Sequence, residues 1–224
     1  MINMTHISRQ EVIMPGGIEL TLEAERHLNL SPDTKVLSVA CGTAELECYL
    51  AQKYGCAIVG IDITESFIER ARKKATARRL DSLVQFKIGD GNRLEFGNGM
   101  FDVVFCSGAL CEFYDNGLAE FHRVLRPGGR AAIIDVIWRS EDVPMDVEQC
   151  WTEGTAKVLT LDGNRRAFTA HGFKVLFSQA YHEPSWWEAY YDDRGDAPNW
   201  RQERANYRAH KDYVALGLFV IEKV

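Results

Sequence analysis

Four acidic side chains sit at points in this sequence where a ligand-binding turn would use them: Glu45 in "ACGTAE", Asp62 in "GIDIT", Asp90 in "KIGDGNRLEF" and Glu112 in "GALCEFYD". In the first of these, Ala40, Cys41, Gly42, Thr43 and Ala44 form a run of small residues between an apolar segment and a charged helical pattern that begins at Glu45. Gly42 with small neighbours lets a backbone pass close to a ligand with no Cβ in the way. A turn built for a pyrophosphate has Gly at its first, third and sixth positions, so that phosphates meet the helix N-terminus. Here the sixth position is Glu45. A carboxylate in a first helical turn repels phosphate and favours a ligand carrying positive charge. S-adenosylmethionine is such a ligand: a sulfonium with an adenosine and an amino acid, and no phosphate. A plain tight turn after a buried strand would account for the small residues by itself.

Asp62 lies 20 residues past Gly42, where a carboxylate can accept hydrogen bonds from both ribose hydroxyls. It would also serve as the N-cap of the following helix, although Thr64 is better placed to cap "ESFIERARKKA". The Asp90 carboxylate can accept from an adenine amine, and the Gly91 N–H can donate to a ring nitrogen; a simple turn at "GDGN" is the alternative. The order of the three signals carries more weight than any one of them.

These residues need a scaffold. "KVLSVAC", "AIVGID", "VQFKIGD", "FDVVFCS" and "RAAIIDV" are short β-rich apolar runs, and 44–54, 65–80 and 117–125 between them have helical spacing. Near-continuous apolar strands alternating with helices predict a parallel sheet covered on both faces, with right-handed crossovers: an α/β, doubly wound fold. "RPGG", 126–129, is expected to stop a helix before the fifth strand. Beyond Val136 the alternation breaks down. "DVPMDVEQCWTEGTAKVLT" looks helical, while "FKVLFSQAY" and "DYVALGLFVIEKV" look like two strands that pair as neighbours. One domain is expected over 1–224, with an N-terminal helical lid segment at 1–34, a binding core at 35–137, and a C-terminal part at 138–224 carrying a substrate-side insertion at 182–212.

From 36 to about 136 the chain resembles a class I S-adenosylmethionine-dependent methyltransferase of the small-molecule kind, type 11/25-like, in "VLSVACGT", "VGIDIT", "FKIGD", "FDVVFCSGAL" and "AEFHRVLRPGGRAAIID". The resemblance implies a Rossmann-like seven-stranded sheet with an antiparallel last strand. It implies cofactor contacts for Ala40, Gly42, Asp62, Ile63, Asp90, Gly91, Ser107 and Gly108, and Cys41, Thr43 and Glu45 of the same turn complete the expected set. "MPGGIELT" is similar to a Pro-Gly-Gly element in some members, where Gly16, Gly17 and Thr21 would approach the methionine end; a loop-to-helix junction is the alternative. Three residues depart from the family's pattern. Ser38 stands where an acid is common, and Ala40 and Ala44 where Gly is common. Glu45, one turn away, is expected to compensate for the acid lost at Ser38 in holding the cofactor's amino group.

Methyl transfer from a sulfonium is an in-line displacement, so a protein has mainly to align the nucleophile and exclude water. A base is needed only for a protonated acceptor. Glu112 is the expected catalytic and acceptor-binding residue, ahead of His171, His182 and Tyr181, while His122 reads as a helix-face residue. Trp186 and Tyr190 share one helical face, Trp187 and Tyr191 another. One pair is expected in the core and the other, Trp186 with Tyr190, in the acceptor pocket, stacking on a ring or holding a cation. "WRQERANYRAHKDY" is charged on several sides and is expected to be solvated.

A net charge of -6 gives no electrostatic reason to expect nucleic acid or an acidic membrane as partner. No leader pattern and no apolar run of membrane-spanning length is visible, so a cytoplasmic protein is expected. Cys41, Cys48, Cys56, Cys106, Cys111 and Cys150 contain no C-x-x-C pair and read as small buried thiols, with no metal assigned. Three other readings stay open: a nicotinamide-dependent oxidoreductase, disfavoured by Glu45; a nucleic-acid methyltransferase, disfavoured by charge and by the absence of an Asn/Asp-Pro-Pro-aromatic element; and a non-catalytic adenosylmethionine-binding module.

Overall fold

A computed structural model of the chain describes residues 14–152, 156–192 and 198–224. The five alternating strands form as expected: β1 (Lys35–Val39), β2 (Ala57–Asp62), β3 (Val84–Ile88), β4 (Phe101–Ser107) and β5 (Leu125–Trp138). The helices are α1 (Gly17–Glu25), α2 (Glu45–Tyr54), α3 (Glu65–Ala77), α4 (Tyr114–Val124), α5 (Met145–Thr152), α6 (Leu161–Ala170), α7 (Pro184–Asp192) and α8 (Pro198–His210). β6 (Phe173–Tyr181) and β7 (Val214–Lys223) complete the sheet. Strand order is β3-β2-β1-β4-β5-β7-β6, all parallel except β7, which is antiparallel to both β5 and β6.

The period-2 alternation of a strand sends successive side chains to opposite faces. Val36, Ile58, Val103 and Phe105 accordingly join one core cluster and Leu37, Ile61, Val104 and Cys106 the other. Helices α1, α2 and α3 cover the first face through Leu20, Cys48 and Ile68, and α4 and α6 cover the second through Leu118, Phe121 and Phe168. Near-continuous apolar strands are what a sheet buried on both faces requires.

Three features differ from the sequence reading. The "RPGG" segment does not precede β5 but forms a bulge inside it: Phe101 pairs with Leu125 and Val103 with Arg130, with Gly128 at φ 70° in the turn between them. A glycine there adopts the left-handed region at no steric cost, so the ladder resumes after the excursion. Of the helix expected across 142–160, the described residues show α5, while 156–159 are not helical; α6, which follows, is capped by Thr160, whose Oγ1 accepts from the Gly163 N–H at 3.0 Å. The Thr64 position is confirmed as the N-cap of α3, but its hydroxyl makes no cap bond; the Asp62 carboxylate accepts the Thr64 N–H at 2.9 Å instead. Among the described residues no helix is long and apolar enough to cross a membrane.

Candidate functional site

The strand order reverses between β1 and β4, and open α/β sheets place ligands at such a switch point beyond the carboxyl ends of the strands. A cavity of about 200 Å³ lies there. Its wall includes Ala40, Cys41, Gly42, Glu45, Asp62, Ser107 and Gly108, seven residues singled out by the sequence. The turn that forms its floor is wound left-handed three times, at Ala40 (φ 57°), Gly42 (φ 53°) and Ala44 (φ 61°). Only Gly takes this conformation freely; Ala accepts it here because the turn must bring the start of α2 over β1.

Asp62 ties this turn to the next. One of its oxygens accepts the Gly42 N–H at 2.9 Å and the other the Thr64 N–H, leaving lone pairs on each for a ligand's hydroxyls. Thr43 is buried and receives the Lys74 ammonium on its Oγ1 at 3.3 Å, so it faces α3. Ile63, 73 % exposed, stands beside Asp62 but outside the cavity wall. Asp90 is exposed, and its Oδ1 accepts from the Asn92 backbone and side chain at 2.8 and 3.1 Å, the turn expected as the alternative at "GDGN". Gly91 gives room to Phe113, whose ring would lie 2.7 Å from an added Cβ.

Glu45 does not stand as the sequence suggested. Its carboxylate is buried and faces α3, where Lys74 Nζ and Arg78 Nη2 reach it at 2.8 and 2.6 Å. Two cations already balance that charge. The acid beside Ser38 is Glu47, one residue pair further along α2: Ser38 Oγ–H donates to its Oε1 at 2.6 Å, and both line the cavity. Burial pushes the Glu47 carboxyl up to about 7, against the pull of the Ser38 hydroxyl and of the helix backbone.

A second cavity of about 610 Å³ adjoins the first, the two sharing Met14 and Gly108 as wall. At the join Ser107 Oγ donates to Met14 Sδ at 3.1 Å. Glu112 lines the larger cavity from a 3-10 turn over Leu110–Phe113 and is exposed. Asp135 lines it from inside β5 and is buried; its oxygens accept N–H bonds from Cys111 and Val136 at 3.0 and 2.8 Å, yet desolvation still pushes its carboxyl up to about 6. A charged residue inside the apolar run "AAIIDVIW" was the signal that could have found it.

The aromatic helix α7 is turned differently from the expectation. Trp186 packs on Gly16, where an added Cβ would lie 2.3 Å from its ring, and on Tyr181, with centroids 5.9 Å apart. It is therefore tied to the start of α1 and lies outside the cavity wall, whereas Tyr190 lines the cavity, and so does Trp187, buried and stacked on Tyr207 at 4.6 Å. Met14 and Pro15 of "MPGGIELT" reach the cavities; Gly17 is buried at the start of α1, and Thr21 donates to its carbonyl at 2.5 Å. The segment expected to be solvated contributes as well: α8 places Gln202, Glu203 and Asn206 in the wall and buries Tyr207. His122 packs edge-on against Phe173, away from both cavities.

A seven-stranded sheet in this order, with an antiparallel β7 and a cavity over the β1 turn, is the fold of the class I S-adenosylmethionine-dependent methyltransferases, and the chain shares that fold. Its residues 36–129 match the methyltransferase domain family. Phosphoethanolamine N-methyltransferase 1 of Zea mays is 34% identical over 125 residues, 55% of this chain and 25% of that protein. Methyltransferase GfsG of Streptomyces halstedii is 32% identical over 149 residues, 64% of this chain and 54% of that one. The chain thus spans about a quarter to a half of the length of these relatives. Among solved structures, geranyl diphosphate C-methyltransferase from Streptomyces coelicolor, in complex with S-adenosyl-L-homocysteine, superposes with TM-score 0.78 at 15% identity over 93% of this chain and 78% of that one. The [4+2]-cyclase SpnF superposes with TM-score 0.80 at 20% identity over 92% and 81%. A cyclase among the neighbours shows that this fold carries more than one chemistry.

Proposed function

We propose that this protein transfers the methyl group of S-adenosylmethionine to a small-molecule acceptor held in the larger cavity. The observation that carries the reading is the contact between the two cavities at Met14 and Gly108, with the turn 40–45 on one side and acids and aromatic rings on the other. When bound, the cofactor supplies an electrophilic methyl group on a sulfonium.

The protein's own part is to position and to exclude water. Asp62 offers its remaining lone pairs to the ribose hydroxyls, and the small turn 40–44 admits the ligand backbone-close. Asp90, Gly91 and the exposed Ile63 stand along the adenine side. Trp187 and Tyr190 wall the acceptor, and Glu112 and Asp135 are the carboxylates able to take its proton. Asp135 suits the role of base at neutral pH because its proton affinity is raised above that of an ordinary carboxyl.

The described wall of the larger cavity carries three carboxylates, Glu112, Asp135 and Glu203, and no Lys or Arg. This favours a neutral or cationic acceptor over phosphorylated ones such as those in the relatives' names, whose charge would meet no cation. Calorimetric titration with S-adenosylmethionine, S-adenosylhomocysteine and NADH tests the cofactor side; binding of NADH alone would overturn the reading. Mass spectrometry of products from an acceptor panel then tests transfer, and intact cofactor after long incubation with every acceptor would favour a non-catalytic binding module.

A further inference from the structure

The resemblance implies an acid at the position of Ser38 to hold the cofactor's amino group, and this chain has a hydroxyl there. Ser38 is 2 % exposed in the middle of the sheet, between β2 and β4. Its hydroxyl reaches across the cavity floor to Glu47 in the first turn of α2, at 2.6 Å. The other two acids on this wall are committed elsewhere: Glu45 to Lys74 and Arg78, and Asp62 to the N–H groups of Gly42 and Thr64. Glu47 has only a neutral hydroxyl as side-chain partner, and among the described residues no Lys or Arg forms an ion pair with it. A buried carboxylate is costly unless a cation compensates it.

We propose that Glu47, joined to the end of β1 through Ser38, is the carboxylate that receives the ammonium group of S-adenosylmethionine, taking over from the acid absent at Ser38. The inference rests on the smaller cavity being the adenosylmethionine site. The groups around Glu47 agree with a carboxylate waiting for a cation. Lys74 on α3 lowers its proton affinity from a distance, Glu45 on its own helix raises it, and the neighbouring thiols of Cys41 and Cys48 are themselves pushed up by burial and stay neutral. With the carboxyl at about 7 in the ligand-free protein, an arriving ammonium expels a proton from Glu47 in the pH range just below neutrality.

The test compares two ligands on the wild-type protein and on Glu47→Gln. S-adenosylhomocysteine carries the amino-acid portion and 5′-methylthioadenosine lacks it. In calorimetry, E47Q should weaken S-adenosylhomocysteine roughly ten- to hundredfold, the range for a charge-assisted hydrogen bond lost, and change 5′-methylthioadenosine less than about twofold. In buffers of different ionisation enthalpy, wild-type binding of S-adenosylhomocysteine at pH 6 should release most of a proton, and E47Q none. Equal weakening of both ligands, or no weakening of either, overturns the proposal. If E47Q does not fold, the wild-type protein decides alone: binding of an S-adenosylhomocysteine analogue lacking only the amino group as tightly as S-adenosylhomocysteine itself overturns it. Failure of the wild-type protein to bind either ligand is a different result; it removes the cavity assignment itself, and the proposal with it.

Discussion

Replacing Glu47 by Gln should stabilise the ligand-free protein, and the gain should depend on pH. The carboxyl ordinarily titrates at 4.5 and here at about 7, because it is buried, 6 % exposed, with no cation paired to it among the described residues. The folded state therefore holds the proton more tightly than the unfolded chain. Glu47 contributes fully to stability below about pH 4.5, and that contribution is lost as pH rises to about 7. The gap between those two values corresponds to about 3 kcal/mol at pH 8, a large share of the 5–15 kcal/mol that roughly holds a domain together. Gln keeps the shape and can still accept the Ser38 hydroxyl through its amide oxygen, with no charge to desolvate. Urea unfolding followed by tryptophan fluorescence at pH 5, 6, 7 and 8 measures the effect. Asp135 shifts in the same direction, so both proteins lose some stability with rising pH. Their difference isolates Glu47: about 1 kcal/mol or less at pH 5 and up to about 3 kcal/mol in favour of E47Q at pH 8. Parallel stability curves for the two proteins would refute the reasoning, as would an E47Q protein less stable at pH 8.

Asp135→Asn should lower the methyl-transfer rate by roughly 10²–10⁴ and remove the acid limb of the pH–rate profile, which in the wild type should fall below about pH 6; a profile unchanged in shape would show that Asp135 is not the base. Glu112→Gln, at an exposed position, should leave that limb in place. Ala44→Gly should raise stability by about 0.5–1 kcal/mol in chemical denaturation, since Ala44 sits at φ 61°, where a Cβ is strained. Gly16→Ala should cost about 1–3 kcal/mol, because its Cβ would fall 2.3 Å from the Trp186 ring at a φ of 62°, and protease cleavage near α1 should accelerate.

How much of this site could be read from the sequence depended on how local each feature is. Asp62, Gly42 and the small turn were legible because each lies at the junction of a strand and a helix, where spacing along the chain sets position in space. The aromatics of α7 were legible as two faces, Trp186 with Tyr190 and Trp187 with Tyr191, yet the cavity takes one residue from each, Tyr190 and Trp187, while the Trp186 ring is held by Gly16, more than 160 residues away in the chain. The polar helix α8 gave no hint of the cavity: Gln202, Glu203 and Asn206 reach it because Tyr207 anchors the helix under Trp187.

The sequence by itself determined the class of fold. Period-2 apolar runs alternating with helical spacing admit few arrangements other than a sheet covered on both faces, and the strand-to-helix turns then fall at its carboxyl edge. Tertiary structure alone decided which acid does what. Glu45 and Glu47 are two residues apart on one helix and chemically the same, but 100° per residue turns one towards Lys74 and Arg78 and the other towards Ser38. A charge is defined by what surrounds it, and those surroundings come from elements that the chain brings together only when it folds.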